Sequence, residues 1–242
     1  IRLGSTLFDP YVAILDSKRF ELSSADDTAL LLQDAFASVI APEDGKYIIQ
    51  IRESSYGGNG ACQYRLHIGN FPRPNAVYPA GGQMGQEVEV KFLGDPSGEI
   101  VQKMTLPTTT NPDYGVFAQQ NGLSAPSDNS FRLFAHGNAL EAEPNDELAQ
   151  ATPATLPLAF NGILGVPGDV DHFRFAAKKG ESFEVECYGR RIRSPIDPVM
   201  ELLNANGGRI ALNDDSRGPD SYFRFQVPAD GEYLLRIRDH LG

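Results

Sequence analysis

The sequence predicts an all-β protein built from tandem β-sandwich domains, jelly-roll or immunoglobulin-like in kind. Three observations carry that prediction. The run Asp44–Glu53 (DGKYIIQIRE) recurs as Asp230–Asp239 (DGEYLLRIRD). Apolar residues alternate or cluster over short runs, and Gly, Pro, Asn and Asp separate the runs, as in a sandwich or barrel. Helical periodicity is weak throughout.

The recurrence extends upstream of the matched decapeptides. Gly4–Asp16, with Asp9-Pro10, answers to Arg193–Asn204, with Asp197-Pro198. Asp26-Asp27 answers to Asp214-Asp215, and Asp34 through Ala41-Pro42 answers to Asp220 through Val227-Pro228. A repeat this long is a whole domain, far longer than a solenoid unit. We therefore divide the chain into residues 1–70, the C-terminal part of one module, a middle segment 71–138, and a second copy, 139–242. The first copy runs on through Tyr64–Ile68, and the second stops before any counterpart of that run. The expected whole is a fragment of a longer array, with an open sheet edge where the second copy lacks its last strand.

Along the chain, the middle segment opens with the Pro-rich stretch Phe71–Gln83. Gln86–Gly94 (QEVEVKFLG) then alternates cleanly, placing Val88, Val90 and Phe92 on one face of a strand. Lys103–Leu106 and Phe131–Phe134 read as further strands and Asn121–Ser130 as a loop, together an immunoglobulin-like domain. In the second copy, strands are expected at His172–Phe175, Phe183–Cys187, Phe223–Val227 and Tyr233–Arg238. Lys179-Gly180, Asn206-Gly207-Gly208 and Ala229-Asp230-Gly231 supply the turns.

Composition removes several function classes. The formal net charge is −11, which disfavours nucleic acid, since phosphate contacts need a basic face. No apolar run approaches the roughly 18 residues of a membrane-spanning helix, and no signal peptide is visible. The two cysteines, Cys62 and Cys187, lack metal-ligand spacing. Cys187 shares a strand face with Phe183 and Val185 and reads as a small buried thiol.

Enzyme signatures are missing: the chain has no HExxH, no GxSxG, no Gly-rich phosphate loop and no Cys/His cluster. Gly94–Gly98 imitates a nucleophile elbow, but its first spacing is wrong and Pro96 suits a turn. The four histidines, His67, His136, His172 and His240, are scattered, with His67 and His172 in strand-like runs that suit packing. Asp26-Asp27 and Asn213–Asp215 sit where turn acids bond their own backbone. Asp9 and Asp197, each before Pro, fix an extended strand entry. Tyr11, Phe36, Tyr188 and Tyr222 could stack on a sugar ring or a peptide, although core packing suits them better.

Glu141–Glu147 (EAEPNDE), Gly168–Phe173 (GDVDHF), Gly180–Val185, the Asp197-Pro198 step, Asn213–Asp215 and Pro228–Asp239 occur in order. In these motifs the chain resembles the bacterial pre-peptidase C-terminal domain over nearly all of 139–242. Residues 1–70 resemble the C-terminal half of the same family. The middle segment, with YPAGGQMGQEVEVKFLG, looks like the immunoglobulin-like companion found between such modules in secreted and surface proteins of environmental bacteria. The resemblance implies a sandwich without catalytic residues, appended to secreted hydrolases, commonly peptidases. Some relatives, notably the collagen-binding modules of bacterial collagenases, bind calcium at the N-terminal linker and a polymer on an exposed sheet face. The matching positions are Glu141, Glu143, Asn145 and Asp146 in the linker, and Asp169 and Asp171 before the first long strand. Calcium takes six to eight oxygens, and a linker folded back onto an Asp-x-Asp turn could supply most of them. The same acids could instead cap turns, with Asn145 and Asp146 in an Asx-turn. The first copy lacks this stretch.

The function expected is that of a non-catalytic spacer or binding segment of a secreted or cell-surface bacterial protein, calcium-stabilised and in contact with an extracellular protein or polysaccharide. Its alternative is the targeting arm of a secreted hydrolase whose catalytic domain lies elsewhere. Flanking domains of the parent protein are the other expected partners. Calcium at 141–146 and 169–171 would pin the linker to the second copy and stiffen its junction with the middle segment.

Overall fold

The computed structural model describes residues 8–240. Gly4–Leu7, where the first repeat is read to begin, and residues 241–242 lie outside them. Strands account for nearly all regular structure. In the first segment these are β1 (Pro10–Leu15), β2 (Glu21–Ala25) and β3 (Ile48–Glu53). The middle segment carries β4 (Ala76–Tyr78), β5 (Gly81–Gln83), β6 (Glu87–Leu93), β7 (Ile100–Thr105), β8 (Gly115–Val116), β9 (Gln119–Gln120), β10 (Leu123–Ser124), β11 (Asn129–Ser130) and β12 (Arg132–Phe134). Then follow β13 (Asn138–Leu140), β14 (Thr152–Ala154), β15 (Ala159–Asn161), β16 (Val170–Ala177), β17 (Ser182–Glu186), β18 (Pro198–Asn204), β19 (Arg209–Asn213), β20 (Tyr222–Gln226) and β21 (Gly231–Asp239). The helical pieces are single 3-10 turns at Leu148–Gln150 and Arg190–Ile192. Among the described residues no helix is long and apolar enough to cross a membrane.

The chain falls into two compact units. One comprises Ile1–Ala76, Lys91–Gln102 and Phe117–Asn129, the other Val77–Val90, Lys103–Val116 and Ser130–Gly242. The first unit is organised by an antiparallel sheet of order β2-β1-β3. Val12 and Ala13 of β1 are buried. The β1–β2 turn closes because the Asp16 carboxylate accepts hydrogen bonds from the Lys18 and Phe20 amides, both at 2.8 Å. That Asx geometry places Arg19 at φ 70°.

The second unit contains a five-stranded sheet of order β14-β16-β21-β18-β19 and a separate antiparallel pair, β17-β20. Phe173, Phe175 and Ala177 from β16, Met200 and Leu202 from β18, and Tyr233 and Leu235 from β21 meet Phe225 and Val227 in one core. Phe183 and Val185 from β17, and Cys187 just beyond it, pack against this core. In β17 and β20 the period-2 alternation read from the sequence follows the alternation of core and solvent, whereas β18 is buried on both faces. Each of the larger side chains contributes about 1.5–3 kcal/mol by leaving water. Cys187 is a free thiol, and burial pushes its pKa up to about 12.

The two repeats share their ladders residue for residue. Pro10 faces Glu53 and Val12 faces Ile51 across β1–β3, while Pro198 faces Asp239 and Met200 faces Ile237 across β18–β21. Both hairpins carry the same irregularity, between Ile14 and Leu15 in β1 and between Leu202 and Leu203 in β18. Asn204 caps the β18–β19 turn through the Asn206 and Gly208 amides, as Asp16 does in the first copy. Gly207 takes the left-handed position that Arg19 holds there.

In the middle segment, Val90 and Phe92 of β6 are buried and Val88 is half-buried, on the face expected. Tyr64–Ile68 departs from expectation, because it forms no strand. Tyr64, Leu66 and Ile68 are exposed, and Tyr64 stacks on Phe8 at 6.4 Å. His67 is exposed as well. An alternating pattern makes a strand only where a neighbouring edge accepts its hydrogen bonds, and no described strand pairs with this run.

Candidate metal centre

The site is assembled by backbone pairing within the second unit. β13 runs parallel to β15, with Asn138 facing Ala159 and Leu140 facing Asn161. The Glu141 amide continues that ladder by donating to Asn161 O at 2.9 Å. The chain then turns as the acidic linker, and the Glu143 carboxylate accepts the Asn145 amide at 2.9 Å. Asp171 enters from β16, whose register against β21 places it opposite Ile237. The ring Nδ1 of the next residue, His172, donates to Asn145 O at 3.0 Å and ties the linker to β16.

Glu141, Glu143 and Asp171 each offer a carboxylate oxygen within 4.8 Å of the others. Asp171 is 3% exposed, Glu141 is half-buried and Glu143 exposed, so the group is a pocket with one open side. Glu141 Oε1 accepts the Ile163 amide at 2.9 Å. Glu141 Oε2, Asp171 Oδ1 and both side-chain polar atoms of the fully buried Asn145 have no hydrogen-bond partner. Unsatisfied buried polar atoms in such number are costly, and the Glu141 and Asp171 carboxylates among them converge. Gly162 makes the convergence sterically feasible, because a Cβ at that position would overlap Asp171 Oδ2 and Glu141 Oε2.

The electrostatics agree with the geometry. Burial, followed by the Glu141 charge and then by Asp169, pushes the Asp171 carboxyl up to about 8. Burial is also the main cause of a raised pKa at Glu141, to which Glu143 adds repulsion. Burial and then Glu141 raise the Tyr78 phenol to about 12, and its hydroxyl donates to Asn161 O at 3.2 Å. Without a cation, the buried carboxyls are driven to hold a proton. An all-oxygen donor set of this charge fits a hard divalent cation such as calcium.

The other residues of the expected set play different parts. Asp169 accepts the Gly165 amide at 2.6 Å and caps its own turn, and Asp146 accepts the Val170 amide at 3.4 Å. The Asx-turn alternative at Asn145 does not appear in the hydrogen bonding: Glu143 holds the Asn145 amide, and the Asn145 side chain has no partner. Tyr78, Asn161 and Gly162 belong to this neighbourhood and carry no signal in the sequence beyond the Asn-Gly turn dipeptide.

Residues 169–239 match the family model described as the bacterial pre-peptidase C-terminal domain. Over this segment the chain is similar to that family. The matched stretch holds Asp169 and Asp171, and the acidic linker lies before it. Over 100 residues, 39% of the chain, the sequence is 39% identical to a probable subtilase-type serine protease of Deinococcus radiodurans, and it spans 14% of that protein's length. Among solved structures, the chain is similar to the pre-peptidase C-terminal domain of a collagenase from Bacillus anthracis. That match has a TM-score of 0.33 and 16% identity, and covers 41% of this chain and 89% of the other.

The turn acids elsewhere serve the backbone. Asn213 Oδ1 accepts the Ser216 and Tyr222 amides, and the Asp26 carboxylate accepts the Asp27 amide. Each of the four aromatic candidates has an arginine over its ring: Arg52 on Tyr11, Arg73 on Phe36, Arg217 on Tyr222, and both Arg132 and Arg191 on Tyr188.

Proposed function

We propose that this chain is a non-catalytic accessory segment of a secreted or cell-surface bacterial protein, attached to a hydrolase of the peptidase kind. In this reading its pre-peptidase C-terminal domain is stabilised by calcium. The convergence of Glu141, Glu143 and Asp171, the first and last of them against Gly162, with buried oxygens left without partners, carries the calcium part. The family match and the subtilase-type relative support the accessory part. Glu141, Glu143 and Asp171 would hold the ion, with Asn145 Oδ1 as the buried neutral oxygen beside them. The ion would supply positive charge that lets the carboxyls ionise, and would fix linker 141–146 to β16. The arginine-covered rings of Tyr11, Phe36, Tyr188 and Tyr222 give no support for stacking on a polymer, so contact with an extracellular protein or polysaccharide would need other surfaces.

Thermal unfolding in calcium, in magnesium and in EDTA tests the calcium reading. Calcium at 100 times its dissociation constant adds ~2.7 kcal/mol to the folded state, so the midpoint rises in calcium alone. Asp171→Ala lowers calcium affinity at least about tenfold by titration calorimetry. An unchanged affinity removes Asp171 from the site, and equal midpoints in calcium and EDTA remove the site.

A further inference from the structure

Residues 161–163 make contacts on two sides. Toward the acidic linker, Asn161 O accepts the Glu141 amide at 2.9 Å, Gly162 leaves room for the Glu141 and Asp171 carboxylates, and the Ile163 amide donates to Glu141 Oε1 at 2.9 Å. Toward the middle segment, Asn161 Oδ1 accepts the Ala80 amide at 3.1 Å, and Asn161 O accepts the Tyr78 hydroxyl at 3.2 Å. Asn161 Nδ2 donates to Ala159 O at 3.1 Å, which orients the side-chain amide for its bond to Ala80. One carbonyl therefore carries both the Glu141 amide and the Tyr78 hydroxyl. All these residues lie in the second compact unit.

The two sides of the site are anchored differently. Asp171 stands on β16, which is paired on one edge with β14 and on the other with β21. Glu141 follows β13, which pairs with β15 in a two-stranded sheet apart from the five-stranded one. On the core side Phe160 of β15 stacks on Phe173, with ring centroids 4.6 Å apart. On the other side the polar bonds run to the β4–β5 corner: Asn161 to Tyr78 and Ala80, and Asn138 Nδ2 to Gly81 O at 2.8 Å. The spacing of Glu141 from Asp171 thus depends on side-chain bonds to the middle segment as well as on ladder pairing.

We propose that Tyr78 and Asn161 are positioning residues of the candidate calcium centre, holding β15, and through it Glu141, at the spacing from Asp171 that binding needs. The inference rests on the calcium reading above. Neither residue supplies a ligand atom: Tyr78 acts through Asn161 O, and Asn161 through the Glu141 amide. Groups that orient metal ligands set affinity nearly as strongly as the ligands do. Calcium affinity then depends on the middle segment as well as on the acidic linker, and by reciprocity calcium tightens the β4–β5 corner.

The test is calcium titration calorimetry on the full chain, comparing the wild type with Tyr78→Phe and Asn161→Ala, with amide exchange at saturating calcium and in EDTA as a second readout. Tyr78→Phe is expected to weaken binding about threefold or more, and Asn161→Ala about tenfold or more. In the wild type calcium slows exchange at Ala80 and along β5 and β12. In Asn161→Ala that slowing is lost, while slowing along β16 persists. A merely structural role would lower the melting midpoint equally in calcium and in EDTA, and would leave exchange at Ala80 in the wild type indifferent to the ion. Wild-type affinity in both variants overturns the proposal, as does Ala80 exchange that calcium does not move. Should Asn161→Ala fail to fold, Tyr78→Phe, which keeps the ring, decides by the same two readouts. A wild type that binds no calcium overturns the calcium reading and this inference with it. A wild type that binds calcium no better than the variants overturns this inference alone.

Discussion

At the scale of single residues, Asp171 sets the pH behaviour of the metal-free protein. Its carboxyl titrates near 8 in the folded chain because it is buried and faces Glu141, against about 3.9 when unfolded. Between those values the folded state holds a proton that the unfolded state has released. Stability therefore falls as pH rises through this window and levels off above about 8. In EDTA the melting midpoint is expected to drop by roughly 5 °C or more from pH 5 to pH 8. Asp171→Asn flattens that slope; a slope that survives the substitution assigns it to other groups. Gly162 acts through space instead. Its missing Cβ lets Asp171 and Glu141 approach, so Gly162→Ala is expected to weaken calcium binding about tenfold or more with every ligand retained, measured by titration calorimetry. The family resemblance singled out the acids of this neighbourhood, and the fold brings Glu141, Glu143 and Asp171 of that set together. Gly162 and Tyr78 were not legible, since their roles arise only when β13 pairs with β15 and brings Asn161 beside the linker.

At the scale of elements, the long strands were legible wherever alternation coincided with a partner. β6, β16, β17, β20 and β21 fall within a residue or two of the expected runs. Tyr64–Ile68 alternates equally well and forms no strand, because hydrogen bonding across an edge is a property of the neighbour as much as of the run. The repeats also differ at one cross-strand pair. β18 places Glu201 opposite Arg236, and Glu201 is 2% exposed and paired with Arg236 and Arg209. The equivalent pair in β1 and β3 is Ala13 opposite Gln50. Arg236→Gln leaves the buried carboxylate only the more exposed Arg209 and should cost about 3 kcal/mol in urea unfolding. Adding Glu201→Ala recreates the pair found in the first copy and should recover part of that loss. A double variant less stable than the single one would refute this account.

At the scale of the whole molecule, every ligand of the candidate centre lies in the second unit. Calcium is therefore expected to slow hydrogen exchange in β13–β16 and to leave the amides of β1–β3 unchanged. Slowing of equal size in both sets would contradict a site confined to Glu141, Glu143 and Asp171. The recurring runs Asp44–Glu53 and Asp230–Asp239 lie in ladders of matching register, as matching apolar positions and turn residues require. That likeness has a kinetic consequence. During folding, β18 meets two templates of almost the same sequence, β21 and β3, and propensity alone hardly separates them. The Glu201–Arg236 pair separates them. A ladder of β18 on β3 would set Glu201 against Gln50 and leave the buried carboxylate with Arg209 alone, at a cost of a few kcal/mol. The buried ion pair thus works as proofreading for strand partnership, rejecting the decoy that the chain carries within itself.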